Sequence, residues 1–254
     1  MSRWAYVDHP GPIPFAHRGG ASEHPENTMP AFEHAVGLGY RYVETDAHAT
    51  ADGKLVAFHD NVLDRVTDRR GVIAQLSWDT VRQAHVGTGQ TATGIPLMEE
   101  LLTAWPDLRV NIDLKHEASV APLVEVIERT VAHDRVCAAS FSGKRLDRFR
   151  RLTGGRVCTA IGPYDIGRLR CAGFGMRPGS FVGACAQVPV RQGPVLILDR
   201  RFVGGAHRLG LPVHVWTIDD PTEMGRLLDL GVDGIMTDRP TVLKEVLVRR
   251  GEWA

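Results

Sequence analysis

The chain has 254 residues, 43% hydrophobic and 24% charged, and its 30 Lys and Arg balance 30 Asp and Glu for a formal charge of zero. With no global field to attract nucleic acid or an anionic membrane, any negatively charged ligand has to be recognised locally. No apolar run approaches the roughly 18 residues needed to span a bilayer, and the first ten residues lack the apolar core of a signal peptide. Cys137, Cys158, Cys171 and Cys185 form no CxxC pair, so reduced, mostly buried thiols in a cytoplasmic protein are expected.

In chain order, apolar runs predict strands at 13–17, 42–48, 110–115, 135–141, 157–161, 180–185, 213–218 and 234–237. Amphipathic stretches predict helices at 29–38, 97–105, 120–133, 144–152, 164–172, 201–209, 222–230 and 241–249. Eight strands, each followed by a helix, predict a closed parallel barrel of the (β/α)8, or TIM-barrel, class, with 1–254 as a single domain. The fifth and sixth units carry the weakest pattern, because 173–195 is rich in Gly and Pro and leaves room for an irregular strand or a ligand loop. One segment breaks the alternation. Thr50-Ala51-Asp52-Gly53-Lys54 is a hairpin turn signal, 55–59 reads as a return strand, and 61–94 is polar without a long helical period. Residues 49–95 are therefore expected to form a small insertion at the carboxyl end of the second strand, the end where barrels carry their sites.

His17-Arg18-Gly19 closes the first strand, and Glu44-Thr45-Asp46 lies inside the second. Successive strand side chains alternate, so Glu44 and Asp46 share a face with Tyr42 and His48. In the third strand Asn111, Asp113 and Lys115 share one face, and Val110, Ile112 and Leu114 the other. Parallel barrel strands are normally apolar on both sides. A half-solvated antiparallel strand alternates in the same way, but helical patterns flank both strands. If the polar faces point into the barrel mouth, Glu44, Asp46 and Asp113 converge and repel one another unless a cation intervenes. An all-oxygen donor set favours one divalent cation, Mg²⁺ or Ca²⁺, over zinc. Arg18 and Lys115 add positive charge suited to a phosphate ester. His17 and His59 each end a strand beside charged neighbours, as proton-transfer residues do.

Together with these, Pro25-Glu26-Asn27-Thr28, Thr50-Ala51-Asp52-Gly53, His59-Asp60, Asn111-Ile112-Asp113-Leu114-Lys115, Ser140-Phe141, Trp216-Thr217 and Thr237-Asp238-Arg239-Pro240 resemble the glycerophosphodiester phosphodiesterase family. The likeness runs from about residue 13 to 242 with the motifs in family order. The resemblance implies metal-dependent hydrolysis of a small glycerophosphodiester to sn-glycerol 3-phosphate and an alcohol. It implies Glu44, Asp46 and Asp113 as metal ligands, and His17 and His59 as the general acid/base pair. Arg18 and Lys115 would bind phosphate, and Trp216 would line the pocket. Aspartate stands at 113 where the family usually has glutamate, and the shorter side chain bears on metal identity and affinity.

Several alternatives stay open at this level. Either histidine could be the acid, and either water or the glycerol 2-hydroxyl could attack first. Trp216 could be core filling, Asp60 a turn residue, and His48 and His116 supporting residues. Thr28 could simply cap the first helix ahead of Pro30. A lysophospholipase D would need an apolar groove, for which Val62-Leu63, Val72-Ile73 and Phe181-Val182 are candidates. A non-catalytic phosphoester-binding barrel would be free to lose at least one of these residues, and all are present.

Overall fold

Eight parallel strands form in the computed structural model, which describes residues 4–176 and 179–254. They are β1 (Ile13–His17), β2 (Tyr42–Ala49), β3 (Arg109–Leu114), β4 (Val136–Ala139), β5 (Cys158–Thr159), β6 (Ala186–Pro189), β7 (Val213–Trp216) and β8 (Gly234–Thr237). Each leads to a helix: α1 (Met29–Gly37), α2 (Met98–Ala104), α3 (Val120–Arg129), α4 (Gly143–Leu152), α5 (Pro163–Ala172), α6 (Arg200–Arg208), α7 (Pro221–Leu230) and α8 (Pro240–Arg250). The strands pair in the order β5-β4-β3-β2-β1-β8-β7-β6. A parallel bridge between Ala160 and Cys185 joins the two ends, with Ile161 N–H donating to the Cys185 carbonyl at 2.9 Å. The expected (β/α)8 architecture is thus present.

The sixth strand departs from expectation. It lies at Ala186–Pro189, paired with β7 from Val213↔Ala186 to Trp216↔Pro189, and not at 180–185. Gly183 presses so close to the Ala160–Ile161 backbone that a Cβ there would meet atoms at 2.6–2.8 Å. The true strand contains Gln187 and ends on Pro189, so its apolar signature is broken. In the loop before it, residues 177 and 178 lie outside the described residues, as do 1–3 at the N-terminus.

Alternation along the strands separates two environments. Val110, Ile112 and Leu114 are fully buried against the helical layer, with Leu101, Leu123 and Ile127. Facing inward, Phe15, Tyr42, Met236, Cys137, Cys158 and Cys185 form a separate cluster with Tyr6 from the N-terminal segment. Tyr42 Oη donates to the Tyr6 carbonyl at 2.8 Å, fixing that segment. Three of the four cysteines are buried free thiols, and Cys171 is exposed.

The segment after β2 folds back as a short strand, Leu55–Ala57, antiparallel to β2 with Ala47↔Ala57 and Ala49↔Leu55 in register. It continues through 3₁₀ turns and a single helical turn at Trp78–Val81. A small core of its own, including Val56, Phe58, Leu63, Ile73, Val81 and Ile95, holds it together. Among the described residues no helix is long and apolar enough to cross a membrane.

Candidate active site

Strand register brings the polar residues to one mouth. His17 pairs across from Glu44, and Asp46 from Asp113. Glu44, Asp46 and Asp113 are all buried. Lys115 Nζ lies 2.9 Å from Asp46 Oδ1 and 2.7 Å from Asp113 Oδ2, so one ammonium serves two carboxylates. Arg18 reaches the same group: its Nε is 3.2 Å from Asp46 Oδ2, and its backbone N–H donates to Glu44 Oε2 at 3.3 Å. Its Nη1 donates to Glu26 Oε1 at 3.0 Å.

Asn27 supplies a contact that no sequence pattern assigned. Its Nδ2 donates to Asp46 Oδ2 at 2.9 Å, while its Oδ1 accepts from Thr45 Oγ1 at 2.7 Å. Fully buried and with φ +57°, Asn27 ties both faces of β2 to the loop before α1. Asparagine tolerates the left-handed region better than most residues, a local signal beside its place in the Pro25–Thr28 motif. Thr28 caps α1, the simpler of the two readings open from the sequence, accepting from Ala31 N–H at 3.4 Å.

The carboxylates differ in proton affinity because their surroundings differ. Burial, then the neighbouring Asp46, drives the Glu44 carboxyl up to about 7. Burial also pushes up Asp46, but Lys115 and Arg18 outweigh it and hold that group below the usual range. Asp113 is raised, because burial outweighs its bond with Lys115. For Lys115, burial opposes the charge, yet Asp46 and Asp113 together raise its pKa.

Each histidine is fixed through Nδ1. His17 Nδ1 sits 2.6 Å from Asp238 Oδ1, and its Nε2 is 3.6 Å from Glu44 Oε2. His59 Nδ1 sits 2.6 Å from Asp60 Oδ1. An ionised carboxylate only accepts, so both Nδ1 atoms carry hydrogen. Burial lowers the His17 pKa, but Glu44 and Asp238 outweigh burial and raise it. Asp238, at the carboxyl end of β8, was not singled out as a partner for His17; β8 lies beside β1, and only that neighbourhood brings the pair together. His59 is carried on the return segment, where Phe58 N–H donates to the Asp46 carbonyl at 3.0 Å. His48 supports the same turn, with Nε2 3.1 Å from the His59 carbonyl. His116 instead caps a turn, its Nδ1 accepting from Ala118 N–H at 3.2 Å.

Trp216, half-buried, meets the Phe141 ring edge-on at 5.7 Å between centroids, and Lys115 Nζ lies 6.0 Å from the Phe141 centroid. These two aromatics stand beside the charged cluster. Leu63 and Ile73, offered by the sequence as parts of a groove, are fully buried in the core of the segment after β2; Val182 is exposed.

The turn after His17 depends on Gly19. Its φ is +81°, and an added Cβ would stand 2.7 Å from Ala31 Cβ and 2.8 Å from Ala31 C. Gly19→Ala is expected to destabilise the fold by about 1–3 kcal/mol and to lower turnover by displacing Arg18. Thermal unfolding and kcat measured on the same preparation check both effects.

The glycerophosphoryl diester phosphodiesterase family profile matches residues 17–159 and 178–242. This chain belongs to that family. It is 45% identical to a probable glycerophosphodiester phosphodiesterase 2 of Mycobacterium tuberculosis, over 98% of this chain and 95% of that protein. It is 30% identical to the glycerophosphodiester phosphodiesterase of Caldanaerobacter subterraneus subsp. tengcongensis, covering 93% of this chain and 97% of that one. Its fold matches an Oleispira antarctica phosphodiesterase crystallised with the product sn-glycerol-3-phosphate, with a TM-score of 0.82, 24% identity, and 97% and 100% of the two chains covered.

As the side chains of this phosphodiesterase stand, no three or more His, Cys, Asp or Glu residues among the described residues are grouped so as to hold a metal ion. The cause is visible at Lys115, whose ammonium lies between Asp46 and Asp113, while Glu44 is turned toward Arg18 N–H and His17. Two further observations bear on whether a cation fits. Asp113 Oδ1 is buried with no hydrogen-bond partner, a costly state for a carboxylate oxygen. Glu44 ionises at neutral pH only against the resistance of burial and Asp46. Three oxygen-donor carboxylates with an orphaned buried atom fit a hard divalent cation.

Proposed function

We propose that this phosphodiesterase hydrolyses glycerophosphodiesters to sn-glycerol 3-phosphate and an alcohol by proton transfer at His17 and His59, with one divalent cation, Mg²⁺ or Ca²⁺, held by Glu44, Asp46 and Asp113. The observation that carries this reading is the matched pair of imidazoles, each with Nδ1 2.6 Å from a carboxylate, Asp238 or Asp60. Nε2 is then the atom of each ring that can accept or release a proton, one toward the nucleophile and one toward the departing alkoxide. Arg18 and Lys115 would bind the phosphate, and Trp216 would line the pocket with Phe141. The reduced thiols suit a cytoplasmic protein.

The division of labour follows from magnitudes. Uncatalysed phosphodiester hydrolysis requires up to roughly 20 kcal/mol of barrier lowering. A positioned acid or base supplies about 3–5 kcal/mol each. Two histidines therefore need the cationic side chains and substrate positioning as well. A bound cation would supply further neutralisation of charge on the phosphoryl oxygens.

The deciding assay compares glycerophosphocholine with lysophosphatidylcholine in Mg²⁺ and in Ca²⁺. Release of choline with stoichiometric sn-glycerol 3-phosphate from the first substrate is the expected result. Preferential turnover of the acylated substrate would reassign the enzyme as a lysophospholipase D, and turnover of neither would reject the reading.

A further inference from the structure

Arg65 has no role in the chemistry described above, yet its guanidinium touches the partners of two residues that do. Its Nε and Nη2 donate to Asp60 Oδ2 and Oδ1 at 2.6 and 3.2 Å. Its Nη1 and Nη2 donate to Glu26 Oε2 and Oε1 at 2.9 and 2.7 Å. Asp60 is the carboxylate at His59 Nδ1, and Glu26 is the carboxylate at Arg18 Nη1. A continuous path therefore runs His59–Asp60–Arg65–Glu26–Arg18, from the segment after β2 to the loop after β1. Resting on the phosphodiesterase reading of the site, we propose that Arg65 is a positioning residue, a guanidinium clamp that sets the orientation of the His59 ring and of the Arg18 side chain relative to each other.

Three physical points support the assignment. First, a planar guanidinium can hold two carboxylates through paired N–H bonds, which a point-like ammonium cannot reproduce. Second, the Arg65 side chain is 47% exposed, so solvent screening limits what each of its ion pairs adds to stability, and the paired contacts act mainly by fixing direction. What the clamp secures is chiefly geometry. Third, both carboxylates have a second cationic or imidazole partner inside the site. Without Arg65, Glu26 would balance its charge on Arg18 alone and draw that guanidinium away from an incoming phosphate. Asp60 would lose the bonds that, ahead of its contact with His59, hold its carboxyl at about 2, and with them the fixed plane that aims His59.

Arg65 lies in the segment that caps the carboxyl end of β2, and Glu26 in the loop that begins α1. The clamp thus registers one wall of the site against the other. A misplacement of about 1 Å can cost on the order of 10²-fold in rate, so a contact between walls affects rate without touching substrate.

The test uses Arg65→Ala and Arg65→Lys in the full-length enzyme with its divalent cation. Arg65→Ala is expected to lower kcat on glycerophosphocholine by about 10–100-fold, with a melting temperature close to wild type. Millimolar guanidinium chloride should restore part of the rate in this variant and none in wild type, and Arg65→Lys should fall between the two. The second readout does not need turnover: the downfield His59 Nδ1–H proton resonance, assigned by its loss in His59→Ala, should broaden or vanish in Arg65→Ala while that of His17 stays. Wild-type kcat together with an unchanged His59 proton in Arg65→Ala would overturn the clamp. So would a rate loss that guanidinium does not restore and that tracks a lowered melting temperature. Wild type inactive on glycerophosphocholine would reject the reaction reading alone, and the His59 proton would still decide the clamp.

Discussion

His17→Ala is expected to lower kcat on glycerophosphocholine by about 10²–10⁴-fold while the protein retains its divalent cation. The reason lies in the position of the ring. His17 ends β1, and Asp238 from β8 holds its Nδ1 at 2.6 Å, leaving Nε2 directed toward the carboxylate cluster, 3.6 Å from Glu44 Oε2. Alanine removes the proton carrier without removing any of the three carboxylates proposed to bind the cation. Asp238→Asn should cost a comparable amount, up to about 10⁴-fold, since the ring remains but an amide at this position can donate to Nδ1 and enforce the wrong tautomer. Repeating both measurements with a p-nitrophenyl diester separates the roles of His17. If His17 protonates the leaving group, the loss shrinks on this substrate, because nitrophenolate departs without protonation. If it acts on the nucleophile, the loss stays the same. Wild-type kcat in His17→Ala, or cation loss in step with activity, would remove His17 from proton transfer.

Removal of the cation by excess chelator is expected to abolish turnover, and re-addition of Mg²⁺ or Ca²⁺ to restore it. The same experiment has a stability arm that depends on pH. Glu44 has a folded pKa of about 7, above the roughly 4.3 of an unperturbed glutamate. Between those values the cation-free fold binds more protons than the unfolded chain, so this group makes the fold less stable as pH rises. Asp113 works in the same direction. Asp46, held below its usual value, contributes stability that is lost only as pH falls through its folded pKa. A cation competes with protons for Glu44 and relieves the cost of ionising it. The rise in melting temperature on adding cation should therefore be larger at pH 8 than at pH 5. Equal shifts at both pH values would separate Glu44 from the cation, and full activity in chelator would remove the metal from the reaction.

Much of the site is readable from alternation alone. In β2 and β3 a period of two placed Glu44, Asp46, Asn111 and Asp113 on one face and Val43, Ala47, Val110 and Ile112 on the other, and the cores divide along that line. A parallel strand enclosed by helices has no solvent face, so inward polar residues stand out against it. The hairpin signal at Thr50–Lys54 likewise marked where the chain turns back to deliver His59. The sixth strand lacks such a local mark. Ala186–Pro189 alternates, with Ala186 and Val188 buried, but four residues ending on a proline are too few to stand out, and the strand's identity comes from pairing with Val213–Trp216.

The sequence by itself determined the alternating order of strands and helices, the polar faces of two strands and the residue types gathered there, because these are consequences of local period and composition. Only the tertiary structure decided which residues act together. Asp238 meets His17 across 221 positions, Arg65 meets Glu26 across 39, and Lys115 divides itself between Asp46 and Asp113. Contacts of this kind are set by barrel closure and strand register, which put distant segments at one rim. A carboxylate's proton affinity depends on what that closure buries beside it, and no local pattern encodes it.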